Sequence, residues 1–168
     1  MIAPLFVGGG SIEGHLRVTV DDVESIRLRK TLSTTRLSVD LLGIEELVAA
    51  RRKSVFSSLA TELFNADNPP PRKMAVRTDA QESKEIQWTL LPSSTLLPFR
   101  ICLPLDTGPA PFQTRNATIR YLLCATLMIH DATKNYSVRT SQEIIVLSTY
   151  DRKWYRICMK FTSNIRRS

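Results

Sequence analysis

An antiparallel β-sandwich is the fold class this chain predicts, on three observations. Apolar residues alternate with polar ones at a period of two through most of the sequence. Helical spacing of three and four is scarce, and breaks rich in glycine and proline separate the alternating segments. At 168 residues the chain has the size of one domain. About eight strands with long connections and almost no helix pack as two sheets face to face.

Gly8-Gly9-Gly10 parts a short apolar start from the first long strand, where Leu16, Val18 and Val20 alternate with Arg17 and Thr19. Ile26 and Leu28 then alternate with Arg27 and Arg29, and Leu37, Val39 and Leu41 with Ser38 and Asp40. Leu47, Val48, Val55, Leu59 and Leu63 have some helical spacing, but Gly43 and Arg51-Arg52-Lys53 interrupt it. The expectation there is a turn near Glu45–Lys53 followed by a strand over Ser54–Phe64. Asn65–Lys84 holds three consecutive prolines and seven charges, which predicts a long surface loop between strands. Phe99, Ile101 and Leu103 alternate with Arg100, Cys102 and Pro104; Asp106–Asn116, with Gly108, Pro109 and Pro111, is a second excursion. Ile119–Ile129 is apolar at nearly every position, as a strand covered on both faces would be. Tyr136 and Val138 resume the alternation with Ser137 and Arg139.

Composition narrows the class. The chain is 43% hydrophobic, 23% charged and 7% aromatic, which excludes collagen-like, mucin-like and wholly disordered proteins. Its longest apolar run, Tyr121–Ile129, is broken by Thr126 and falls well short of the roughly 18 residues of a spanning helix. The first residues have no basic lead-in, so no signal peptide is predicted and the expected compartment is the cytosol. Cys102, Cys124 and Cys158 are far apart; reduced thiols are expected, Cys102 and Cys124 acting as small hydrophobes within apolar strands. The sequons at Asn116 and Asn135 are read as chance matches for the same reason.

The net charge of +7 is unevenly spread: residues 152–168 carry six bases and no acid, and the rest is nearly neutral at +1. A basic tail on a neutral body does not predict nucleic-acid binding. Catalytic patterns are missing too. His15 and His130 are 115 positions apart, and no Cys-x-x-Cys, His-Glu-x-x-His or Gly-x-Ser-x-Gly occurs. Gly8-Gly9-Gly10-Ser11 leads into a strand, so no helix N-terminus would face a phosphate there. The expectation is a protein with no enzymatic activity, metal or cofactor.

One stretch carries a resemblance. Leu97–Ile129 contains Pro98-Phe99, Leu103-Pro104, Ile119-Arg120-Tyr121 and Ala125-Thr126-Leu127, in the order found at the centre of the arrestin-type N-terminal domain. Gly14–Val20 is similar to that domain's opening strand, and Leu37–Gly43 to its strand ending in Leu-x-Gly. Tyr136–Arg139 followed by Glu143–Leu147 resembles its closing pair of strands. The resemblance covers residues 5–151, with 65–84 as an insertion and 152–168 as a basic C-terminal tail. Within the family the chain looks like the fungal α-arrestins, the arrestin-related trafficking adaptors. It implies a single immunoglobulin-like β-sandwich and a non-catalytic adaptor in ubiquitin-dependent endocytosis of plasma-membrane proteins. Such an adaptor joins acidic or phosphorylated cargo tails of transporters or receptors to a HECT-type ubiquitin ligase, moving from cytoplasm to plasma membrane or endosomes. The chain departs from the family in two ways. It has no Pro-Pro-x-Tyr, since Pro69-Pro70-Pro71 runs into Arg72-Lys73, so ligase binding is expected to be indirect. With 17 residues after residue 151, no second sandwich is expected in this sequence.

Acidic cargo calls for clustered cations. The candidates are Arg17, Arg27, Arg29, Lys30, Arg36, Arg51, Arg52 and Lys53, with Arg17, Arg27 and Arg29 able to share one face if their strands are neighbours. A solvated sheet face is the plainer account of them. In the tail, Trp154, Tyr155, Arg156 and Lys160 are candidates for contact with a partner or an anionic membrane. That segment fits both a strand alternation and a helical spacing. Two rival roles stand beside the adaptor: a general interaction sandwich with no ligase link, and a peripheral membrane protein held by its basic tail.

Overall fold

The computed structural model describes residues 3–21, 32–78, 86–131 and 134–149. These form ten strands and no helix: β1 Leu5–Val7, β2 Ser11–Val20, β3 Ser33–Leu47, β4 Arg52–Phe64, β5 Ala75–Arg77, β6 Trp88–Leu90, β7 Ser93–Cys102, β8 Phe112–Gln113, β9 Ala117–Asp131 and β10 Lys134–Leu147. The protein is therefore all-β, as its period-two patterning predicts.

The larger sheet runs β1-β10-β9-β3, with β4 beside β3. At the start of β3 the place next to it passes to β6, which β5 follows, and β8 pairs with the start of β9. The second sheet is the antiparallel pair β2–β7, in register from Ser11 opposite Cys102 to Val20 opposite Ser93. One pair departs from the antiparallel expectation, for β1 lies parallel to β10.

Alternation decides which face goes inward. Ile12 of β2 and Ile101 of β7 point onto Val39 and Leu41 of β3, Tyr121 and Ala125 of β9, and Ile144 and Val146 of β10, forming one core cluster. A second, at the other end, joins Leu37, Phe64, Met74, Leu90, Leu97 and Ile129. Fully burying one such side chain stabilises the fold by about 1.5–3 kcal/mol. Gly14 is required by a close approach: the Phe99 ring opposite it on β7 lies over the glycine, and a Cβ would sit 2.8 Å from the ring.

Tyr121 anchors the loop before β8. Its hydroxyl lies 2.8 Å from the Pro109 carbonyl and 3.1 Å from that of Thr107, to which it donates. Burial first, and the Asp106 carboxylate second, raise its pKa, so the phenol stays protonated as this donation demands.

Five expectations need correction. The 65–84 segment is not all surface loop: Met74 and Ala75 are buried, and β5 pairs with β6. The closing pair of strands is one continuous strand, β10. Of β9, only Ile119, Tyr121, Ala125 and Ile129 are buried, so its outer face is only partly covered. Cys102 points outward and is exposed, not a small core hydrophobe. The turn before β4 is confined to 48–51. The strand expected around Ile26 and Leu28, and everything expected of 152–168, lie outside the described residues.

Candidate functional site

The two sheets do not close equally on both sides. On one side β4 reaches β7. On the other, β2 lines an open trough whose floor is β9 and whose far wall is β10. Two adjoining cavities of about 520 and 590 Å³ make up the trough, and Leu16, Ala125 and Thr140 line both. Its far wall is unusually exposed for apolar side chains, with Tyr136 at 45% and Val138 at 53%. The floor is Leu123, Ala125 and Leu127.

Among the described residues β2 pairs with β7 alone. Among the described residues, the backbone N–H and C=O groups on its other edge have no strand partner and border the trough. This sets the chemistry of an occupant. A hydrocarbon would cover those groups and leave them unpaired, at about 1–3 kcal/mol each, whereas an extended peptide pairs them and sends alternate side chains onto the apolar floor. The charges are graded along the trough. Arg17 and Asp21 line one end, and Glu13 and His15 the other; Arg139 stands opposite Thr126 in register, on the face of the sheet away from Ala125 and Leu127. Glu13 is already engaged by Arg100, at 3.2 Å, across β2–β7.

The predicted basic residues that are described do not converge. Arg17 lies on β2 at the trough. Arg36, near the start of β3, pairs with Glu62 at 3.4 Å, while Arg51, Arg52 and Lys53 lie at the far end of the β3–β4 hairpin. Eleven strand positions separate Arg36 from Leu47 at that end, about 35 Å of chain. Arg27, Arg29, Lys30, Trp154, Tyr155, Arg156 and Lys160 fall outside the described residues. The sequence reading missed Tyr136 and Val138 as site residues; the signal was apolar alternation at 136 and 138 that gives way to an unbroken polar run over 139–143, too few apolar residues for a covered face.

The remaining candidates are structural. His130 spans two strands, Nε2 lying 3.0 Å from Thr35 Oγ1 and Nδ1 2.8 Å from Asn135 Oδ1, so its partners are not carboxylates. In the glycine run, Gly8 N–H donates to Leu147, Gly9 N–H to Leu103 and Pro104, and Gly10 N–H to Val7, leaving no amide aimed at an anion. Pro70 is buried, and the Pro71 carbonyl accepts from Met74 N–H at 2.8 Å, so the proline run is part of a packed turn. Among the described residues no three His, Cys, Asp or Glu side chains gather as a metal site, and no helix is long and apolar enough to cross a membrane.

The thiols offer a check on strand orientation. Cys124 is half-buried, and burial, with the Asp40 carboxylate second, raises its pKa. A raised pKa leaves less thiolate at any pH below it. Maleimide at neutral pH is expected to label Cys102 well before Cys124, read by peptide mass mapping in a Cys158→Ser background; equal rates would contradict the placement of β9. No protein-family profile matches the chain, and no curated protein matches it at a significant level.

Proposed function

We propose that the chain is a non-catalytic interaction module of the arrestin type. In this reading it is an adaptor that holds an extended, acidic segment of a membrane-protein tail while a HECT-type ubiquitin ligase is brought in. The observation that carries the binding half is the β2 edge, unpaired among the described residues, beside an apolar trough with Arg17 at its rim. Such an edge recognises main chain by strand addition and side chains by the trough, and an arginine at the rim favours an acidic residue. The ligase half rests on the resemblance of Leu97–Ile129 and its flanks to arrestins. With Pro70 buried and no Pro-Pro-x-Tyr present, the ligase arrives through another protein.

The test has two arms. Affinity purification from the chain's own cells at moderate salt is expected to recover a HECT-type ligase with transporters or endocytic factors; recovery of neither sinks the trafficking role. Fluorescence anisotropy with labelled acidic cargo-tail peptides is expected to show binding that Arg17→Glu weakens about tenfold. Binding without ligase recovery would favour the general interaction sandwich, for which the packed proline run already speaks.

A further inference from the structure

We propose that Ser54, near the start of β4, is the acceptor for an Arg-directed protein kinase, and that the folded chain presents it by detaching one end of the edge strand. Arg51 and Arg52 stand three and two residues before Ser54, and Val55 follows it. Two guanidiniums ahead of a hydroxyl suit an active-site groove lined with carboxylates, because arginine pairs with carboxylate in two-pronged geometry.

The fold makes this short run separable. Among the described residues β4 pairs only with β3, so freeing it breaks one ladder. The turn at Val48–Arg51 is closed by Arg51 N–H to Val48 O at 3.2 Å, its β3 side being tied to the loop before β9 by Val48 N–H to Asn116 O at 2.9 Å, and Arg51 has a left-handed φ of 49°. Register then runs from Leu47 opposite Arg52 to Ile44 opposite Val55 and shifts, Gly43 facing Ser57. Phe56 is the extra residue of that bulge, which divides the hairpin end from the rest of the ladder. Arg51, Arg52, Lys53 and Val55 are all exposed. Phe56 sits edge-on to Tyr121 at 5.7 Å between centroids, and this contact stops the detachment one residue after Val55.

In the reaction the Ser54 Oγ attacks the γ-phosphorus of ATP. The bond to the bridging oxygen breaks, ADP leaves, and the hydroxyl proton passes to the kinase's base. The product changes the hairpin end. Ser54 Oγ now donates to Glu45 Oε2 at 3.4 Å; a phosphate there faces a carboxylate with no proton to share, and the two repel. It also offsets the charge of Arg51, Arg52 and Lys53.

The folded chain is treated with ATP and the catalytic subunit of cyclic-AMP-dependent protein kinase, and phosphate is located by peptide fragmentation. The expected result is Ser54 as the main site in the native chain, no phosphate there in Ser54→Ala, and a rate reduced at least about tenfold in Arg51→Ala/Arg52→Ala. Hydrogen exchange of the phosphorylated chain is expected to speed up by about fivefold at residues 52–55 and not in β9. Phosphate mainly at another residue, or modification of Ser54 only after denaturation, would overturn the proposal, as would exchange unchanged at 52–55.

Discussion

Phe64→Ala is expected to lower the stability of the fold by about 3–5 kcal/mol, a large share of the roughly 5–15 kcal/mol typical of a whole domain. Phe64 ends β4 with no measurable exposure, opposite Leu37 where the β3–β4 register shifts. Its cluster draws on β3, the turn after the prolines, β6, β7 and β9, through Leu37, Met74, Leu90, Leu97 and Ile129. A hole there cannot be filled by moving one element, because strands of both sheets are tied to it by backbone ladders, so the surroundings relax only in part. Phe112→Ala provides the contrast: that side chain is 44% exposed on the two-residue β8, and its loss is expected to change stability by no more than about 0.5 kcal/mol. Urea unfolding of the three proteins measures both, and similar midpoints for the two variants would contradict the placement of Phe64.

That cluster also shows where the sequence stops being informative. Leu16, Val18 and Val20 reveal their strand because it has one covered and one open face, and Leu37, Val39 and Leu41 reveal theirs because the positions between them, Ser38 and Asp40, are polar. Met74 and Ala75 do not, although they are buried: three prolines and seven charges surround them, and two adjacent buried positions make no periodic pattern. β10 misleads for a different reason. Its middle, Arg139–Glu143, is wholly polar and reads as a break between two strands. The strand continues because Thr140 and Gln142 line an open trough, where nothing requires an apolar side chain. The trough itself depends on β2 and β10, more than a hundred residues apart, standing with no strand between them among the described residues, which local alternation cannot record. The basic residues that the structure describes are spread out for a geometric reason: being on or beside strands of 10 to 15 residues, cations in neighbouring segments such as Arg36 and Arg52 end up at opposite ends of the sheet.

Gly108→Val is expected to cost about 3 kcal/mol or more, through two separable effects. The first is backbone strain. Gly108 has φ +101°, where a β-branched residue is a genuine outlier, and such strain costs on the order of 1–3 kcal/mol. The second is space. A Cβ at Gly108 would lie 2.7 Å from a Phe56 ring carbon and 3.2 Å from the Tyr121 hydroxyl, in a corner whose loop is fixed by that hydroxyl on both sides of the glycine. Overpacking of this kind costs about 1–3 kcal/mol. The loop has little room to retreat, for the Gly108 N–H donates to Asp106 Oδ1 at 3.2 Å and its carbonyl accepts from the Ser148 hydroxyl. Thermal unfolding is expected to fall by roughly 6–12 °C. Adding Phe56→Ala removes the ring but not the strain. The double variant is therefore expected to recover about 1 kcal/mol relative to the sum of the single changes. Full additivity would mean that Phe56 does not crowd Gly108, and complete recovery would mean that the backbone there is unstrained.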